Sequence, residues 1–242
     1  MLLVAGIIPI WRFWRANLHT SLQYVVLWAT LAWIAWVAVL HGDVVDWTAS
    51  FPMARYVALS LSACAGVAVL GARRPGAAAW NFVLLGLLSV LLLPLAQGFL
   101  TGSPAAIRGF WLIFLALTLG VGLLNYLFTR LGFGAATLAV AFALEIAALA
   151  ERSETTVIAG DSLLSLAPWV GWAALCWRPP AATEFDRCWL DFRDRFGLIW
   201  AQRLREQFNR SAANAGWSVE LRWSGLRITS PDRVNEAECL AT

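Results

Sequence analysis

Six stretches of the first three-quarters of the chain are almost bare of polar positions, and after Trp177 polar residues return in a different rhythm. The apolar stretches run from Ser21 to Leu40, Tyr56 to Ala72, Trp80 to Leu100, Phe110 to Phe128, Gly132 to Leu149 and Ile158 to Trp177. Runs of about 17 to 25 residues match the thickness of a bilayer's hydrocarbon core. Inside lipid the backbone must satisfy its own hydrogen bonds, so uninterrupted runs of this kind form helices. Residues 21–177 therefore predict six transmembrane helices arranged as three hairpins. Breaker residues mark three of the connectors: Arg73-Arg74-Pro75-Gly76, Thr101-Gly102-Ser103-Pro104 and Arg130-Leu131-Gly132. Pro94 lacks an amide donor and should kink the third span. Small residues recur every four positions at Ser60, Cys64, Ala68 and Ala72, and again at Ala135, Ala139, Ala143 and Ala147. Such rows let helix backbones approach closely.

Residues 1–20 precede the first span. Ten mostly apolar residues are too few to cross a bilayer, and Trp11-Arg12-Phe13-Trp14-Arg15 follows them. This pattern fits a short helix in the membrane interface, or an ordinary positive flank to the first span. The first span has no small-x-small cleavage site and reads as a retained anchor.

From Arg178-Pro179-Pro180 onward the rhythm changes. Phe185, Trp189, Phe192, Phe196, Ile199, Trp200, Leu204 and Phe208 fall three and four apart, which predicts one amphipathic helix of about 25 residues. Oppositely charged residues stand four apart on its other face, as in Arg187 with Asp191 and Asp191 with Arg195. Trp217, Val219, Leu221 and Trp223 then alternate with polar residues as in a half-buried strand; Ser224-Gly225 offers a turn, and Leu226 and Ile228 a returning strand. The resulting organisation is an all-α polytopic membrane protein with a small cytoplasmic α+β tail. Its parts are an interfacial segment (1–20), a six-helix membrane domain (21–177), an amphipathic helix with a β-hairpin (178–229) and a flexible C-terminus (230–242).

Composition changes this picture little, whereas charge adds an orientation. Hydrophobic residues make up 60% of the 242-residue chain and charged residues 14%, well below the roughly 25% charge of soluble domains. All 18 basic residues are arginine. With the N-terminus inside, the inner segments hold Arg12, Arg15, Arg73, Arg74, Arg130 and Arg178, and the outer loops hold Arg55, Arg108 and Arg152. Basic residues are retained on the cytoplasmic side, so both termini are expected to be cytoplasmic, in a membrane of the bacterial inner-membrane type. The tail carries ten arginines against nine acids, too even a balance for nucleic acid as a partner.

The candidate chemistry is sparse. No G-x-S-x-G elbow, phosphate loop or paired-cysteine motif occurs, and the two histidines, His19 and His41, lie about 33 Å apart along a helix and cannot share a metal. No catalytic residue, metal site or cofactor is therefore expected, and an enzyme is the least supported class. Glu145 is the one acid within an apolar run, and an intramembrane carboxylate must be neutralised, paired or wetted. It could reach the outer interface, pair with Arg152, or serve as a proton or cation site. Asp161, read at the start of the sixth span, could cap that helix or join the same polar site.

A helix and a hairpin of about 50 residues bury little surface alone. The stripe of Phe185, Trp189, Phe192, Phe196, Trp200, Leu204 and Phe208 is thus expected to dock on the bilayer, on the ends of the spans, on a second copy or on another subunit. The leading expectation is a non-catalytic membrane subunit or assembly protein whose tail docks on a membrane or cytoplasmic partner. The alternative is a transporter or permease component handling a cation or small solute near Glu145 and Asp161.

Overall fold

The computed structural model describes residues 2–17, 20–41, 51–72, 77–102, 107, 109–151, 153–177 and 183–228. The chain divides into two compact units between residues 177 and 178.

The first unit is helical throughout its described length: α1 (Leu2–Ala5), α2 (Ile7–Asn17), α3 (Gln23–Leu40), α4 (Phe51–Gly71), α5 (Ala77–Leu91), α6 (Leu93–Thr101), α7 (Phe110–Leu127), α8 (Gly132–Glu151) and α9 (Glu154–Cys176). Among the described residues, five helices are long and apolar enough to cross a membrane, or six when α5 and α6 count as one bent span. In length and composition they are those of a multi-pass integral membrane protein.

Helix α4 lies at the centre and packs against α3, α5, α7 and α8. Its row of small residues explains the position: Ser60, Cys64, Ala68 and Ala72 are all buried. Its Gly66 meets Gly122 of α7, where a Cβ on Gly66 would come within 2.9 Å of the facing Cα, so the two backbones touch. The row in α8 behaves differently. Ala135 is buried but Ala143 is exposed, and the inward face instead carries Gly134, Ala141, Phe142, Glu145 and Ala148. Gly134 faces Gly171 of α9 at ordinary contact distance.

The expected kink at Pro94 is a bend of 47° between α5 and α6. Pro94 has no amide, and the Leu95 amide bonds to Leu92 O instead of to Leu91 O. The Tyr56 hydroxyl of α4 donates to Leu91 O at 2.8 Å and satisfies the carbonyl that the break leaves over. Indole N–H groups tie other spans together: Trp28 donates to Asn81 Oδ1 and Trp36 to Ser62 Oγ, each within 3.1 Å. At the N-terminus, buried Leu3 accepts from the Trp33 indole through its carbonyl, and Ile7, Ile8 and Trp11 of α2 stay exposed, with Arg15 stacked over Trp11.

The second unit contains α10 (Glu184–Asn214), β1 (Val219–Arg222) and β2 (Gly225–Ile228). The strands pair antiparallel, with Arg222 opposite Gly225, so the turn is Trp223-Ser224, one residue earlier than the sequence pattern indicates. The single long helix expected here is broken. Gly197 has φ 76° and ψ −172°, far from helical values and open essentially to glycine alone. The break reverses the chain: the rings of Phe185 and Phe208 lie 5.7 Å apart, whereas a straight helix would separate them by about 35 Å. The tail is therefore a helical hairpin covered by a β-hairpin, and Trp189, Leu190, Ala201 and Leu221 form its core with Phe192, Phe208, Trp223 and Leu226 packed around them.

Candidate functional site: a buried arginine holding two carboxylates

Glu145 lies six residues from the end of α8 and Asp161 seven residues inside α9, and residues 152–153 join those two ends. Helix α4 brings Arg55 to the same level, four residues from its own start. At 1.5 Å per residue, all three sit about 6 to 11 Å along the helices from those ends.

One guanidinium holds both acids. Arg55 Nη1 donates to Glu145 Oε2 at 2.5 Å and to Asp161 Oδ1 at 2.8 Å, while Nη2 donates to Asp161 Oδ2 at 2.8 Å. The contact with Asp161 is a two-pronged fork, the geometry that only a planar guanidinium supplies. Since both acids meet the same nitrogen, Glu145 Oε2 and Asp161 Oδ1 are no more than about 5 Å apart. Burial is uneven. The side chains of Arg55 and Glu145 are 3% and 0% exposed, and that of Asp161 is 26% exposed. The remaining oxygen of Glu145, Oε1, lies against the backbone of Gly160, where a Cβ would collide with it. Gly160 is buried, one residue before Asp161, so α9 presents a bare backbone to one acid and a carboxylate to the shared arginine.

This arrangement corrects three expectations. Glu145 is fully buried on Arg55 and does not reach a surface; Arg152, the other partner expected for it, lies outside the described residues. Asp161 is not a helix cap, because α9 begins seven residues earlier, after Ser153. Arg55, assigned to an outer loop by its position before Tyr56, is inside α4 and 2% exposed. It is the member of the candidate site that the sequence pattern misses. An acid within the fifth apolar run, a second at the start of the sixth and no base within any run was the available signal, since such acids require a counter-charge from a neighbouring segment.

The proposed docking stripe of the tail is largely consumed by the tail itself. Trp189 is buried, Phe192 stacks between Trp189 and Phe196, and Phe185 and Phe208 meet across the helical hairpin. Trp200 is half-buried beneath the Arg203 guanidinium, and Leu204 is exposed.

Buried polar residues fasten the tail's parts. Thr183 and Asp186 form a reciprocal capping box, and Asp186 Oδ1 also accepts the Leu226 amide of β2 at 2.7 Å. Arg193 is held by Asp194 and donates to Trp223 O, and the Asn209 amide pairs with both backbone groups of Leu221 as a neighbouring strand would. The Leu226 amide, and then the Thr183 hydroxyl, hold Asp186 below the usual carboxylate range.

Among the described residues, no group of three His, Cys, Asp or Glu side chains is placed to hold a metal ion. Cys64 is buried, Cys176 and Cys188 are exposed, and none is in a disulfide. No protein-family model, curated protein or solved structure matches this chain.

Proposed function

We propose that this chain is a component of a membrane transport system, a multi-pass protein of a bacterial cytoplasmic membrane with both termini cytoplasmic, in which the cluster on α4, α8 and α9 handles a cation. The observation that supports this reading is the second carboxylate on the guanidinium. A salt bridge that only fastens helices needs one acid for one arginine. Among the described residues two acids share one buried base, and a surplus negative charge in a low-dielectric layer favours a bound cation. The test is flux into liposomes containing the purified protein, under imposed gradients of protons, sodium or potassium. Wild type is expected to carry one of these cations above the rate of empty vesicles, and Glu145→Gln to lose at least about tenfold of that rate, the scale of one lost charge interaction. Equal flux from both proteins would remove the cluster from transport.

The tail favours a second, compatible role as a docking module for a cytoplasmic or membrane subunit. It folds around its own core, yet leaves Trp217 62% and Ile228 76% exposed at the open end of its hairpin. Crosslinking in native membranes is expected to yield an adduct that Trp217→Ala with Ile228→Ser abolishes. A chain that crosslinks to nothing in either form would end this role.

A further inference from the structure

Among the described residues the cluster carries one positive and two negative groups, and Arg55 occupies three of the four carboxylate oxygens: Glu145 Oε2 and both oxygens of Asp161. The fourth, Glu145 Oε1, has no hydrogen-bond partner among the described residues although its side chain is fully buried. An ionised carboxylate oxygen left in that state is costly, so the identity of the missing cation can be argued from the space and the ligands around this one atom.

A metal ion does not fit. Calcium takes about six to eight oxygen ligands and magnesium a nearly octahedral set, whereas Oε1 is a single oxygen with a guanidinium alongside and the Gly160 backbone against it. Sodium and potassium would meet the same shortage of oxygens and the same repulsion. A proton needs one oxygen and almost no volume.

Resting on the reading that this cluster handles a cation, we propose that the cation is a proton, bound to Oε1 of Glu145 while Oε2 continues to accept from Arg55. An O–H bond forms at Oε1 as a hydronium ion of the aqueous phase gives up its proton and leaves as water, and the charge of the three described groups passes from one net negative to neutral. Asp161, the exposed member, is the group through which the proton exchanges. Among the described residues the surroundings offer little competition. Helix α4 contributes Arg55 and α9 contributes Asp161. Helix α7 has no charged residue and carries its Tyr126 at the opposite end, α3 ends at exposed His41, and Glu151 of α8 is exposed beyond the cluster.

The test is infrared difference spectroscopy of the full-length protein in liposomes during a pH titration. Wild type is expected to show the C=O band of a protonated carboxyl group at neutral pH, lost in Glu145→Gln and kept in Glu151→Gln. Asp161→Asn leaves one acid for one base, so the band is expected to disappear there as Glu145 becomes ionised. Gly160→Ala crowds Oε1 and is expected to move the midpoint of the band by about one pH unit or more. A wild type without the band, a band that survives Glu145→Gln, or one that survives Asp161→Asn would each overturn the proposal. The two readings fail separately: a band without cation flux ends transport and leaves the proton site, and flux without a band ends the proton site and leaves transport.

Discussion

Arg55 decides the character of the membrane unit. Its guanidinium compensates two acids from two other helices, and removing it would leave Glu145 fully buried without its counter-charge and Asp161 without its fork. Arg55→Ala is therefore expected to lower stability by about 3–5 kcal/mol, the range for breaking one side of a buried pair, measured as unfolding in mixed detergent micelles. Arg55→Lys keeps the charge but not the fork to Asp161, and its loss is expected to fall between the two. Glu145 could be singled out from the sequence because an acid in an apolar run is expensive whatever surrounds it. Arg55 could not, for the opposite reason. A basic residue before an apolar run reads as a flank, and only the fold reveals that α4 starts at Phe51 and draws it inside. Asp161 was placed too near a helix end for a related reason: the polar residues from Glu154 to Thr156 hide the first turns of α9.

At the scale of elements, apolar runs translate directly into helices because length and composition suffice in lipid. The bend at Pro94 was equally legible, since a missing amide has a local effect. The tail helix was not. A stripe at spacings of three and four fits one straight helix, and fits equally well two halves folded onto a common core, because both halves present the same face inward. The distinguishing residue is Gly197, an interior glycine in a run of good helix formers. Gly197→Ala would force a side chain into a backbone conformation that costs of order 1–3 kcal/mol. The expected result is a tail more readily cut between residues 190 and 205 by limited proteolysis, while the spans stay protected. Unchanged cleavage would mean that the reversal is not held at this glycine. The row of alanines in α8 is a milder case, since small residues occur on several faces of that helix and spacing alone does not identify the packed one.

The whole molecule consists of two units held by different forces. Close backbone approach and one charge cluster organise the spans, whereas the tail relies on a small aromatic core and buried polar fasteners. Their responses to acid should differ accordingly. Asp186 lies below the usual carboxylate range when folded, so its contribution is complete above about pH 4, the ordinary value for an aspartate, and is lost as pH falls through the lowered native value. Tryptophan fluorescence followed during acid titration is expected to show the tail loosening in that window. Asp186→Asn should be less stable at neutral pH and lack that component of the acid transition; an identical acid limb in both proteins would mean that another group governs it.

Arg55 and Tyr56 are consecutive residues of α4's second turn. One grips α8 and α9 through their acids, and the other supports the carbonyl exposed where α5 gives way to α6. The two grips share a single peptide bond and cannot be adjusted independently. A sliding or rotation of that turn would therefore strain both contacts at once, so a substitution that shifts Arg55 is expected to disturb the support of the bend as well.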